Sequence, residues 1–163
     1  MRLRDAVPGD LEFLRAMSYE AALWRPGRPR PPFDEVLEQP QVARYLSAWG
    51  RSGDAAVIAE DGDGAPVGAA WYRLFSRDEP GYGFVDETTP ELSIAVREDA
   101  RRRGVGTSLL NALSEKARSD GLRSLSLSVE KDNPAVRLYE RAGFSVVGSD
   151  ANTFTMRVDL SVD

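Results

Sequence analysis

The strongest constraint on this chain is a succession of strand, glycine turn, helix and strand between Glu91 and Val129. Glu91-Leu92-Ser93-Ile94-Ala95-Val96 is a short apolar run of strand character. Arg101-Arg102-Arg103-Gly104-Val105-Gly106-Thr107 follows as a turn. From Gly104 to Ser119, Val105, Leu109, Ala112, Leu113 and Ala117 recur at helical spacing, and Gly121 closes the helix. Leu122 to Val129 then alternates, with Leu125, Leu127 and Val129 on one face and Ser124, Ser126 and Ser128 on the other. A chain that changes its hydrophobic period in this order folds as an α/β or α+β domain with a mixed sheet.

The flanking segments extend that plan. Leu3 to Ala6 reads as a strand, and Pro8-Gly9-Asp10 opens a helix with Leu11, Phe13, Leu14 and Met17 as its apolar positions. Arg25 to Pro32, RPGRPRPP, is an irregular loop, because proline lacks the donor and glycine adds freedom. A second helix is expected from Asp34, its N-cap, to about Trp49. Ala55–Glu60 and Pro66–Phe75 flank the turn Asp61-Gly62-Asp63-Gly64 as a hairpin, and a polar stretch follows from Ser76 to Thr89. A helix from Asn133 to Ala142 stops at Gly143, and strands at Phe144–Gly148 and Thr153–Leu160 end the chain. The expected order is β-αα-βββ-α-β-α-ββ. It describes one domain over residues 1–163, with a mixed, mainly antiparallel sheet of about six to seven strands flanked by four helices.

Composition narrows the chemistry. The chain has no histidine and no cysteine. Disulfides, the usual zinc sites, Cys nucleophiles and every Ser-His-Asp or Cys-His arrangement are therefore excluded, and no tight carboxylate cluster suggests a metal. The net charge is −5, with no basic patch carrying interleaved aromatics, which argues against nucleic acid as the main partner. No run approaches the ~18 apolar residues of a membrane span. Met1 to Pro8 is charged and lacks an apolar signal core, so a cytoplasmic location is expected.

Two segments carry the site. At the start of a helix the first backbone N–H groups lack partners and the dipole is positive, so the turn from Arg101 to Thr107, with Ser108, suits a pyrophosphate. Gly104 and Gly106 lack a Cβ, which allows close approach of the ligand oxygens. The bland alternative is a glycine turn on an arginine-rich surface. The turn has neither the Lys-Ser/Thr ending of a P-loop nor the three glycines of a dinucleotide fingerprint. The second segment is Asp132-Asn133-Pro134-Ala135-Val136-Arg137-Leu138-Tyr139-Glu140-Arg141-Ala142-Gly143-Phe144. Asn133 suits an N-cap and Pro134 the first helical position. Here Tyr139 is either a core aromatic with its hydroxyl on a carbonyl or a functional phenol.

Together, the R-x-x-G-x-G turn and N-P-A-x-x-L-Y-E-x-x-G-F resemble the GNAT superfamily of N-acetyltransferases, and the strand Glu91–Val96 and the order of elements look like that family's. The resemblance implies that acetyl-coenzyme A is the acyl donor and that no metal takes part. It places the backbone of Ile94, Ala95 and Val96 on the pantetheine arm and acetyl group. The amides from Arg101 through Arg102, Arg103, Gly104, Val105 and Gly106 to Thr107 would hold the pyrophosphate. Asn133 would contact the pantetheine arm or the splayed strand end, and Tyr139 would lie near the thioester sulfur as the acid. The family often has proline where Glu98 stands and asparagine where Asp132 stands. The expected reaction is direct attack by an amine in a ternary complex, with Glu91 or Glu87 accepting the proton. The acceptor is a small-molecule or peptide amine, and the resemblance allows a homodimer. The alternative is a non-catalytic acyl-coenzyme A sensor, which needs neither Tyr139 nor a base.

Overall fold

The computed structural model describes residues 1–160. Seven strands form one sheet in the order β1-β2-β3-β4-β5-β7-β6. They are β1 (Arg2–Asp5), β2 (Ala55–Glu60), β3 (Pro66–Arg73), β4 (Glu91–Val96), β5 (Ser124–Glu130), β6 (Ser145–Ser149) and β7 (Thr153–Asp159). Every neighbouring pair is antiparallel except β4 and β5. That parallel step needs a crossover, and helix α4 (Val105–Ser119) provides it.

The sheet separates two apolar layers. On one face, Leu92, Leu125, Leu127 and Val129 pack with Val105, Leu109 and Leu113 of α4 and with Tyr139 of α5 (Ala135–Arg141). On the other, Ile58, Ala69 and Trp71 pack against Leu14 and Met17 of α1 (Leu11–Ala22). The alternation expected for β5 is observed: its leucines and valine join the first layer and its serines face the opposite side. Among the described residues no helix is long and apolar enough to cross a membrane, and no group of acidic side chains is placed to hold a metal.

One expected element is corrected. In place of a continuous helix from Asp34 to Trp49, two short helices appear, α2 (Phe33–Leu37) and α3 (Pro40–Ala43). Pro40 is the cause. It has no N–H to donate and it disfavours helical geometry at Gln39, which is extended at φ −60 and ψ 127. Pro32, not Asp34, precedes the first turn. After α3 the chain runs on in turns, and Tyr45 in that stretch is buried.

Candidate active site

β4 and β5 share a single bridge, Glu91 opposite Ser126, with the Ser126 N–H donating to the Pro90 carbonyl at 2.9 Å. Beyond it the two strands part. Backbone alternation fixes what lies in the opening. The Pro90 carbonyl is directed at β5, whereas the Arg97 N–H donates to Val67, beside β3, at 2.8 Å. The even-numbered residues between them therefore direct their N–H and C=O groups away from β3. The amides of Ile94 and Val96 thus face the wedge, with no strand to receive them. Ala95 directs its amide at β3 and gives its methyl to the α1 layer. Of the three residues expected on the acyl arm, the structure brings two backbone amides to the opening.

The turn that follows is bare of internal bonds. A 3-10 turn at Glu98–Ala100 leads into it. Arg102 at φ 64 and Gly104 at φ 80 adopt left-handed conformations, which are strained for arginine and natural for glycine. No backbone N–H from Arg102 to Thr107 has a protein partner among the described residues; the first internal bond of α4 is Ser108 N–H to Gly104 C=O at 3.1 Å. This row of unpartnered donors lies at the positive end of a helix, a geometry suited to an anion. The side chains of Arg102 and Arg103 are exposed and unpaired among the described residues. Arg101 is engaged: its Nε donates to the Val96 carbonyl at 2.9 Å, pinning the strand end beside this row. The Val105 side chain is core, so only its amide is available. Thr107 is exposed and Ser108 half-buried.

Tyr139 comes from α5 on the far side of the wedge. It is 7% exposed and packs edge-on against Phe144 at 6.0 Å. Its hydroxyl has no hydrogen-bond partner among the described residues, so it is not a core phenol tied to a carbonyl. Burial alone pushes the phenol above its usual value of 10, which keeps it protonated at neutral pH. Asn133 uses its Oδ1 to accept from the Ala135 N–H at 2.9 Å, capping α5. Its side-chain NH2 remains for other contacts.

Glu91 is 3% exposed. One carboxylate oxygen accepts from the Gly83 N–H at 2.9 Å and the other from the Tyr45 hydroxyl. Burial pushes this carboxyl up to about 7; the Tyr45 and Gly83 bonds and the Arg44 charge pull in the other direction without overcoming it. Glu87 is exposed in the β3–β4 loop.

Three further groups surround the start of β4 and the end of β5 and carry no local sequence signal. Gly83 lies on β5, where a Cβ would fall 2.5 Å from the Leu127 carbonyl carbon. Its own carbonyl accepts from Ser126 Oγ at 2.8 Å. Arg25, in the proline-rich loop, reaches the end of β5 and bonds Asp132 at 2.7 and 2.9 Å and Glu130 at 2.8 Å. Arg73, fully buried, bonds Asp54 and accepts no solvent; its NH1 also holds the carbonyls of Arg44 and Ser47, fixing the turn that carries Tyr45.

The structure thus holds a pair of parallel strands that part after one bridge, an unpaired amide row at the start of α4, and a buried phenol on α5. Residues 16–144 match the family model described as Acetyltransferase (GNAT) family. The chain is 33% identical to the L-methionine sulfoximine/L-methionine sulfone acetyltransferase of Pseudomonas paraeruginosa, over 90% of this chain and 81% of that one. It is 31% identical to the mycothiol acetyltransferase of Saccharomonospora viridis, over 92% of this chain but only 47% of the longer relative. Among solved structures, the ribosomal-protein-alanine N-acetyltransferase of Brucella melitensis superposes with a TM-score of 0.70 at 26% identity, covering 98% of this chain and 99% of that one. A phosphinothricin acetyltransferase from Sinorhizobium meliloti, in complex with acetyl-coenzyme A, gives 0.70 at 24% identity, covering 98% and 88%, a likeness of fold. This chain belongs to the GNAT family of acetyltransferases, and it is an acyltransferase enzyme.

Proposed function

We propose that the protein transfers the acetyl group of acetyl-coenzyme A to the amine of a small, amino-acid-like molecule by direct attack in a ternary complex. The observation that carries this reading is the row of unpartnered amides from Arg102 to Thr107 beside the open edge of β4. It provides a seat for a pyrophosphate and, next to it, amides for an acyl arm. The acceptor class rests on the Pseudomonas relative, which acts by name on methionine sulfoximine and methionine sulfone.

The chain's own groups account for each proton. The amine nitrogen bonds to the thioester carbon, and the Val96 or Ile94 amide donates to the developing oxyanion. Glu91, at about 7, is matched to accept the amine's proton near neutral pH. Its burial behind Tyr45 and Gly83 makes a bridging water the carrier. As the C–S bond breaks, the Tyr139 hydroxyl gives its proton to the sulfur; the phenolate regains a proton from solvent and Glu91 releases one to it before the next turnover. Holding donor and acceptor together supplies several kcal/mol of the barrier. With no cysteine in the chain, no thiol nucleophile competes with direct attack.

Two measurements test this. Acetyl-coenzyme A at ~100 Kd should add about 2.7 kcal/mol of stability in a thermal melt, with ATP inert and 3′-dephospho-coenzyme A in between. Thiol release, read with a thiol-reactive dye that this Cys-free protein does not consume, should then rise with methionine sulfone or methionine sulfoximine. Turnover with peptide N-termini and none with amino-acid analogues would overturn the acceptor class; no stabilisation at millimolar donor would overturn the proposal as a whole.

A further inference from the structure

The Tyr45 hydroxyl stands between β4 and the β3–β4 loop and bonds to both. It donates to Glu91 at the base of the wedge and accepts from the Tyr82 N–H at 2.9 Å. Gly83, one residue on, donates to the other oxygen of the same carboxylate and lies on the backbone of β5. The loop from Gly81 to Gly83 is therefore bound to Glu91 twice, once directly and once through Tyr45. Gly81 leaves no slack: a Cβ there would fall 2.2 Å from Glu91 Oε1 and 2.9 Å from the Tyr45 hydroxyl. The Tyr45 ring is held edge-on against Phe75 at 5.0 Å, and its turn is fastened by Arg73.

We propose that Tyr45 is a positioning residue for acetyl transfer: its hydroxyl fixes the Glu91 carboxylate in one orientation, sets its proton affinity, and fastens to it the β3–β4 loop that walls the acceptor side. This rests on the reading of Glu91 as the proton acceptor. Tyr45 does not exchange its own proton. Burial, followed by the Glu91 charge and bond, holds its phenol far above the usual value, so it remains a donor throughout. The charged and titratable groups around Glu91 are few. Tyr45 and Arg44 come from the turn after α3, and Arg73, paired with Asp54, lies opposite on β3. Tyr82 comes from the loop, and β5 offers only the Ser126 hydroxyl. Among these, the Tyr45 bond is the strongest influence favouring the charged carboxylate.

The test is the pH dependence of kcat/KM for the acceptor in Tyr45→Phe, which deletes the hydroxyl and keeps the ring against Phe75. Losing a hydrogen bond to a charged acceptor should move the acidic limb up by about one to two pH units. At pH 7 kcat/KM should then fall about five- to fiftyfold, recover to within about twofold of the parent value at pH 9, and leave donor affinity unchanged. A uniform fall at every pH, or an unmoved limb, would overturn the proposal. Fluorotyrosine incorporated at position 45 is a better donor that keeps the hydroxyl; it should move the limb down, and an upward or absent movement counts against us. Glu91→Gln separates the two readings. If that variant retains the limb, Glu91 is not the base. A 13C titration of the Glu91 carboxyl then decides Tyr45 alone: a raised midpoint in Tyr45→Phe supports the role, and an unchanged one refutes it.

Discussion

Glu91→Gln should remove a pH dependence of stability that runs opposite to the usual behaviour of a carboxylate. Burial raises this group from the ordinary 4.5 to about 7 in the folded chain. Between those values the folded protein keeps a proton that the unfolded chain has lost. Stability must therefore fall as pH rises through this window, by about 1.4 kcal/mol per pH unit, and level off above it. Over the whole window the loss comes to about 3 kcal/mol, a large part of the 5–15 kcal/mol that holds a typical domain together. The carboxylates held below their usual range, Asp10 by Arg4 and Asp132 by Arg25 among them, act in the other direction and at lower pH. With no histidine in the chain, the neutral range is left clear for Glu91. Urea unfolding followed by tryptophan fluorescence at pH 5, 6, 7 and 8 gives the curve. The parent protein should lose stability across the series while Glu91→Gln stays flat. The two should be close at pH 5, and the variant should be more stable at pH 8 by up to about 3 kcal/mol. Parallel curves would mean that Glu91 is ionised throughout, and would remove its fitness as a base near neutral pH.

Three other outcomes follow from the same contacts. Tyr139→Phe should lower kcat by about 10²-fold or more while the acetyl-coenzyme A dissociation constant stays within a few fold, as single-turnover kinetics and calorimetry would show. Gly83→Ala places a methyl against the Leu127 and Ser128 backbone. The loop must lift, so stability should drop by about 1–3 kcal/mol in denaturant titration and acceptor KM should rise. Arg25→Ala frees the proline-rich loop from Glu130 and Asp132. Acceptor KM should rise a few fold at low ionic strength and converge on the parent value in high salt, with donor KM unmoved.

Much of the fold was legible because its signals are local. The alternation of Leu122–Val129 and the glycines at 104, 121 and 143 are decided by neighbours in sequence, and each glycine has the positive φ its turn requires. The helix expected across Asp34–Trp49 is broken at Pro40, which has no N–H to donate and holds Gln39 extended. At the site, the unpaired amides from Arg102 to Thr107 and the buried Tyr139 fall in the two segments that motif and spacing single out. The environment of Glu91 could not. Tyr45, Gly83 and Glu91 meet only because the sheet brings the turn after α3 and the β3–β4 loop to the same strand end, and no periodicity encodes that meeting. Arg25 was hidden for the same reason: its partners lie more than a hundred residues away.

The lone bridge between β4 and β5 divides the sheet into two ladders, β1 to β4 and β5-β7-β6, joined at their edges by little more than Glu91 and Ser126. An acyl donor whose arm carries amides of its own would act as a short additional strand, accepting from Ile94 and Val96 and lying against β5. Binding would then do for the free edge of β4 what strand pairing does during folding. Amide exchange at Ile94 and Val96 would slow on addition of donor, and protection would spread into β5 and β7. The enzyme would complete its own secondary structure once in every turnover and lose it again as the product leaves.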